Sequence, residues 1–150
     1  MPEKAPAFTL TSDENKPVSL SDFAGKRVLL FFFPKAGTGG CTQQACGFRD
    51  AFPKITEAGA VVIGISPDSP AALAKWKIKE KLPYILLSDP EHKAIDAYGV
   101  WGEKTLYGKK YLGVIRSHFV VDAQGNIEDA QRKVSPKVSV EKGVGTLVKG

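Results

Sequence analysis

Val28-Leu29-Leu30-Phe31-Phe32-Phe33-Pro34-Lys35-Ala36-Gly37-Thr38-Gly39-Gly40-Cys41 contains a strand, a turn and the start of a helix. The run 28–33 is apolar without a break and has the length of a buried strand. Pro34 ends it, because proline cannot donate to a sheet ladder. A turn rich in Gly and Lys follows and holds Thr38. Steps of three and four from Cys41 give Ala45, Phe48, Phe52 and Ile55, an apolar stripe that predicts a helix over 42–57 with Cys41 at its opening. A cysteine at that place meets unpaired backbone N–H groups and the positive end of the helix dipole. Both favour a negative sulfur, and such placement makes a thiol nucleophilic.

Cys46 stands five residues on. In a helix that is roughly 140° around the axis and about 7.5 Å along it. Disulfide Cα atoms rarely lie further apart than about 7 Å, so an intact helix does not hold a Cys41–Cys46 bond easily. The spacing therefore predicts a switch, helical when reduced and locally melted when oxidised.

Outward from this centre, strands and helices alternate. Residues 7–11 and 17–20 suggest a hairpin around Asp13-Glu14-Asn15. Residues 60–66 form a second continuous apolar strand. Ser69-Pro70 start a helix to about Lys81, Pro83 breaks it, and a third short strand covers 84–87. Ser88-Asp89-Pro90 cap a helix through Tyr98. A long segment from Gly99 to Gly113, with Trp101, Tyr107 and Tyr111, has the character of a functional loop. Residues 114–122 and 126–133 suggest an antiparallel hairpin, and 138–149 a last helix weakened by Gly143 and Gly145. Alternating strands and helices argue for an α/β fold with parallel strands and right-handed crossovers.

Pro34, Thr38 and Cys41 fall at the P-x-x-x-T-x-x-C spacing of peroxiredoxins. The segment from Phe33-Pro34-Lys35 to Gly47-Phe48-Arg49-Asp50 resembles the bacterioferritin-comigratory-protein, or peroxiredoxin Q, branch. So do Gly64-Ile65-Ser66-Pro67-Asp68, Leu86-Leu87-Ser88-Asp89-Pro90, Tyr98-Gly99-Val100-Trp101-Gly102-Glu103-Lys104 and Arg116-Ser117, in the same order along nearly the whole chain. The resemblance implies a thioredoxin-like fold, a central mixed sheet flanked by helices with an N-terminal β-hairpin extension. It implies a thiol-dependent peroxidase for hydrogen peroxide and organic hydroperoxides. In it Cys41 becomes a sulfenic acid, Cys46 resolves it as an intramolecular disulfide, and thioredoxin or a similar dithiol recycles the pair. Thr38 hydrogen-bonds sulfur and peroxide, and Arg116, expected on a strand, supplies a fixed positive charge. Pro34 and Gly40 belong to the substrate contact, with Arg49 as a supporting candidate. No cofactor or metal is called for, and a monomer is the usual state. This chain departs from the branch at Gly39, where proline is common, at Phe33 for Tyr, at Gln44 for Glu, and at His118 for Thr or Ser. Residue by residue, His118 is expected to be a satisfied core histidine and His92 a surface residue.

With 150 residues, one domain over 1–150 with a full core is expected. The formal net charge of +5 is spread along the chain, without the basic stripe of a nucleic-acid binder. No run approaches the length of a membrane span, and Met1-Pro2-Glu3-Lys4 lacks a signal-peptide core. Two cysteines do not make a disulfide scaffold, so a cytoplasmic, reducing setting with redox-active thiols is expected. The alternatives are a thiol–disulfide oxidoreductase, against which the absence of C-x-x-C speaks, and a redox-sensing module without turnover. Two Cys and two scattered His lack the spacing of a metal site.

Overall fold

The computed structural model describes residues 3–149. In chain order these are β1 (Glu3–Lys4), β2 (Thr9–Ser12), β3 (Pro17–Ser19), a 3-10 turn (Leu20–Phe23), β4 (Val28–Phe32), α1 (Gly39–Glu57), β5 (Val61–Ser66), α2 (Pro70–Glu80), β6 (Ile85–Ser88) and α3 (Lys93–Ala97). Then come β7 (Trp101–Leu106), β8 (Lys109–Val114), β9 (Ser117–Val121), β10 (Asn126–Arg132) and α4 (Pro136–Lys149). One eight-stranded sheet has the order β1-β10-β9-β4-β5-β6-β2-β3. β4, β5 and β6 run parallel, as the crossovers through α1 and α2 require, and β9 lies antiparallel to β4. The sheet is thus mixed. The N-terminal hairpin β2–β3 extends it by pairing with β6.

Alternation along β4 divides the interior. Val28, Leu30 and Phe32 join Phe8, Ile63, Tyr98 and Phe119 on one side of the sheet. Leu29, Phe31 and Phe33 join Cys41, Phe48, Trp76 and Tyr84 on the other. Successive strand side chains point to opposite faces, so a strand buried on both faces must be apolar throughout.

The helix expected from Thr42 starts at Gly39, three residues earlier, with Thr38 at the N-cap position. The stripe holds: Cys41, Ala45, Phe48 and Ile55 are buried, and Phe52 is half-buried. α4 lies across α1, and the glycines explain how. A Cβ on Gly47 would sit 2.6 Å from Val140 Cγ2, and one on Gly143 would sit 2.6 Å from Leu29 Cδ1. Gly143 therefore weakens α4 as a helix but lets it seat against β4 and α1. Arg27 secures the end of α4 by donating to the carbonyls of Thr146 and Leu147.

Three expectations are corrected. The segment from Gly99 to Gly113 is not a loop but mostly the hairpin β7–β8. Tyr107 and Gly108 turn it with φ of 51° and 78°, the positive pair that two-residue hairpin turns demand. The strand expected over 114–122 breaks at Ile115 and Arg116. Ile115 N–H donates to Val100 O, and Arg116 O accepts from Val134 N–H, so this link leaves the ladder and Arg116 is not a strand residue. The helix after Pro90 begins only at Lys93, because buried Asp89 draws the amides of Lys93, Ala94 and Ile95 onto its carboxylate.

Candidate active site

The turn between β4 and α1 is tied down from the next loop. Asp68 accepts from Ala36 N–H at 2.7 Å and from the Ser66 hydroxyl at 2.8 Å. Gly37 takes φ +87°, a conformation open to glycine, and so swings the chain into the helix. Thr38 is exposed, and its hydroxyl donates to Lys35 O at 2.9 Å rather than capping the helix. With its proton engaged, the Thr38 oxygen faces its surroundings as an acceptor. Pro34 is half-buried where β4 passes into the turn.

Cys41 is the third helical residue, fully buried and free. The amides of Gly39, Gly40 and Cys41 precede the first intrahelical bond, which runs from Thr42 N–H to Thr38 O. Arg116 arrives from the β8–β9 link and donates Nη2 to Cys41 Sγ at 3.4 Å. Its Nη1 donates to Gln44 Oε1 at 2.9 Å. Gln44, which stands where the branch commonly has Glu, lies three residues after Cys41 on the same helix face. A guanidinium cannot lose its proton and favours negative charge on the sulfur it touches. Gly40 leaves room for it, since a Cβ there would lie 3.0 Å from Arg116 Nη2.

A second cation lies close by. Lys104 on β7 donates to Val114 O at 2.9 Å. Burial holds its pKa down, the Arg116 charge adds to this, and the Cys41 sulfur opposes it. Lys104, Arg116 and Lys133 line a cleft of about 580 Å³ with Ile115 and Val134. Arg116 thus bridges an open, basic cleft and a buried sulfur.

Cys46 is placed apart from this constellation. It is half-buried on another side of α1, and its Sγ donates to Glu80 Oε1 at 3.6 Å. Burial pushes its thiol up, Arg49 opposes this, and the Glu80 carboxylate adds to it. Arg49, the supporting substrate candidate, lies here and not at Cys41: it donates to Glu80 O at 2.7 Å and pairs with Asp50 at 3.1 Å. Tyr84 pins the helix between the two sulfurs, donating its hydroxyl to Ala45 O at 2.6 Å, and burial pushes its phenol well up. Nothing in the local sequence flags Glu80 or Tyr84, since both come from the next crossover. Among the described residues no three His, Cys, Asp or Glu side chains gather as metal ligands. No helix among the described residues is long and apolar enough to cross a membrane.

Residues 1–130 match the AhpC/TSA family. The peroxiredoxin Bcp of Bacillus subtilis is 44% identical over 145 residues, covering 97% of this chain and 92% of that one. The peroxiredoxin Bcp of Escherichia coli is 48% identical over 124 residues, 83% of this chain and 80% of that one. Among solved structures, a cysteine-to-serine variant of Xanthomonas campestris peroxiredoxin Q matches with TM-score 0.88 at 30% identity, over 93% of this chain and 89% of that one. Peroxidoxin BcpB of Mycobacterium tuberculosis matches with TM-score 0.85 at 32% identity, over 97% and 94%. The solved structures share the thioredoxin-like architecture, and the span of the family match includes Cys41, Cys46 and Arg116. The chain belongs to the AhpC/TSA family, among its peroxiredoxins of the bacterioferritin-comigratory-protein type.

Proposed function

We propose that this peroxidase reduces hydrogen peroxide and organic hydroperoxides at Cys41 and closes its cycle through an internal Cys41–Cys46 disulfide. The observation that carries the reading is the Arg116 guanidinium on the Cys41 sulfur, 3.4 Å away at a helix start. The Cys41 thiolate attacks one peroxide oxygen. An S–O bond forms, the O–O bond breaks, and the leaving oxygen takes a proton to depart as alcohol or water. Arg116 and the free amides at the start of α1 face the charge that develops, and the Thr38 oxygen accepts from the peroxide O–H. Pro34 and Gly40 border the site, Gly40 by giving Arg116 its place. No cofactor takes part.

The Cys46 thiolate then attacks the Cys41 sulfur. An S–S bond forms, and the sulfenic oxygen leaves as water. In α1 as folded the two Cα atoms are about 7.5 Å apart along the axis, beyond disulfide reach. The first turns must therefore unwind, which breaks the bonds from Arg116 to Cys41 and from Tyr84 to Ala45. Three glycines, Gly39, Gly40 and Gly47, lower the cost of melting that stretch. Thioredoxin or another dithiol returns two electrons and two protons. Both sulfurs come from one helix, so a monomer suffices, and regeneration of the thiols suits a reducing compartment such as the cytoplasm.

The test is peroxide consumption driven by a dithiol reductant. The native protein consumes peroxide and Cys41→Ser does not. Activity retained by Cys41→Ser, or reduction of protein disulfides without peroxide consumption, contradicts the reading.

A further inference from the structure

Behind Arg116 the polar contacts continue into the interior. Gln44 Nε2 donates to Ser139 Oγ at 2.9 Å, and Ser139 Oγ lies 2.8 Å from His118 Nδ1. Among the described residues His118 Nε2 has no hydrogen-bond partner, and Asp129 Oδ2 is 3.8 Å from it. Gln44, Ser139 and His118 are all fully buried. They come from three elements, α1, α4 and β9, brought together by the close seat of α4. Buried polar groups are costly unless paired, so a chain of this length needs a consistent order of donors and acceptors.

One order pairs every proton along the contacts from Arg116 to the His118 ring. Arginine donates and never accepts, so the Gln44 oxygen must face Arg116. The Gln44 amide nitrogen then faces Ser139, whose oxygen accepts. His118 Nδ1 is the one acceptor beside the Ser139 proton among the described side-chain contacts, so pairing that buried proton requires Nδ1 to be bare. The ring proton therefore sits on Nε2, toward Asp129. The charged groups around the ring agree with a neutral imidazole: burial pushes its pKa down to about 4, Asp129 of β10 opposes this, and Lys142 of α4 adds to it.

We propose that His118 and Ser139 are positioning residues for the peroxide reaction. The bare Nδ1 of His118 orients the Ser139 hydroxyl, Ser139 fixes the Gln44 amide, and Gln44 holds the Arg116 guanidinium on the Cys41 sulfur. The inference rests on Cys41 as the reacting sulfur, but its first link is legible without any reaction.

Two measurements test it. In protein labelled with 15N-histidine, with His92→Gln used to assign the spectrum, the His118 ring shows a bare Nδ1 and a protonated Nε2. In Gln44→Glu the carboxylate takes the Ser139 proton, Ser139 must accept from the ring, and the proton moves to Nδ1. The second measurement is the rate of Cys41 oxidation by peroxide in stopped flow. Ser139→Ala slows it by about tenfold, as loss of one bond supporting a charged donor does, and Ser139→Thr restores it. An Nδ1-protonated ring in the native protein, or Ser139→Ala oxidised at the native rate, overturns the proposal. A native protein that consumes no peroxide removes the reading beneath it, while the tautomer still reports whether the chain is ordered as derived.

Discussion

The position a Cβ would take on Gly40 lies 3.0 Å from Arg116 Nη2, and that nitrogen is the one on the Cys41 sulfur. Backbone and guanidinium are packed so closely that only glycine leaves Arg116 where it is. Gln44 holds the other nitrogen, so the side chain cannot simply swing aside. Gly40→Ala should slow Cys41 oxidation on the order of tenfold, because small displacements of a charge-bearing group are costly. The helix itself gains roughly 0.5–1 kcal/mol, since alanine is the better helix residue. Stopped-flow oxidation together with thermal unfolding checks this: activity and helix stability should move in opposite directions.

Arg116→Met removes the charge and keeps much of the volume. The second-order rate with hydrogen peroxide should fall by about a hundredfold, the scale for losing one preorganised donor. An unchanged rate would mean that the 3.4 Å contact is only structural.

Cys46→Ser should complete one fast turnover and then stall when a dithiol is the recycling reductant. A burst equal to the enzyme concentration, followed by a slow steady state, is the expected trace. Steady turnover at the native rate removes Cys46 from the cycle.

Glu80 and Arg49 act on Cys46 in opposite directions. In a Cys41→Ser background, where Cys46 is the only thiol, Glu80→Gln should shift the pH midpoint of alkylation down. Arg49→Ala should shift it up. Cys46 is thus held as a protonated thiol while α1 is folded, and unwinding releases it from both burial and Glu80.

His118 gives the fold a pH dependence with a definite sign. Its folded pKa of about 4 lies below its ordinary 6.5, so between those values the unfolded chain binds the extra proton. Its contribution to stability is complete above pH 6.5 and is lost as pH falls toward 4, by up to about 3 kcal/mol. Urea unfolding at stepped pH should show this loss. His118→Ser should flatten that part of the curve.

The helical stripe of Cys41, Ala45, Phe48 and Ile55 and the apolar run before it were enough to predict β4, α1 and the placement of the sulfur at a helix start. The spacing of Cys46 placed it on another side of α1 from Cys41, as the structure has it. What the sequence hid depends on contacts between distant segments. Lys104 sits in a segment whose hairpin turn is Tyr107-Gly108, a pair without the usual Asn or Asp. Arg116 leaves its strand because its carbonyl is taken by Val134, eighteen residues on. Gly143 reads as a flaw in α4 until Leu29 and Phe48 are seen against it. His118 and Ser139 meet where Gly143 and Gly47 let the helix close in.

Mass spectrometry of the reduced protein after one equivalent of hydrogen peroxide reads the fate of the two sulfurs. Cys41 oxidation resolved by Cys46 within one chain predicts the loss of two hydrogens, a peptide cross-link between the two cysteines, and a fall in helical circular dichroism as α1 unwinds. A stable gain of one oxygen, a doubling of the mass, or an internal bond formed with helix content unchanged contradicts it.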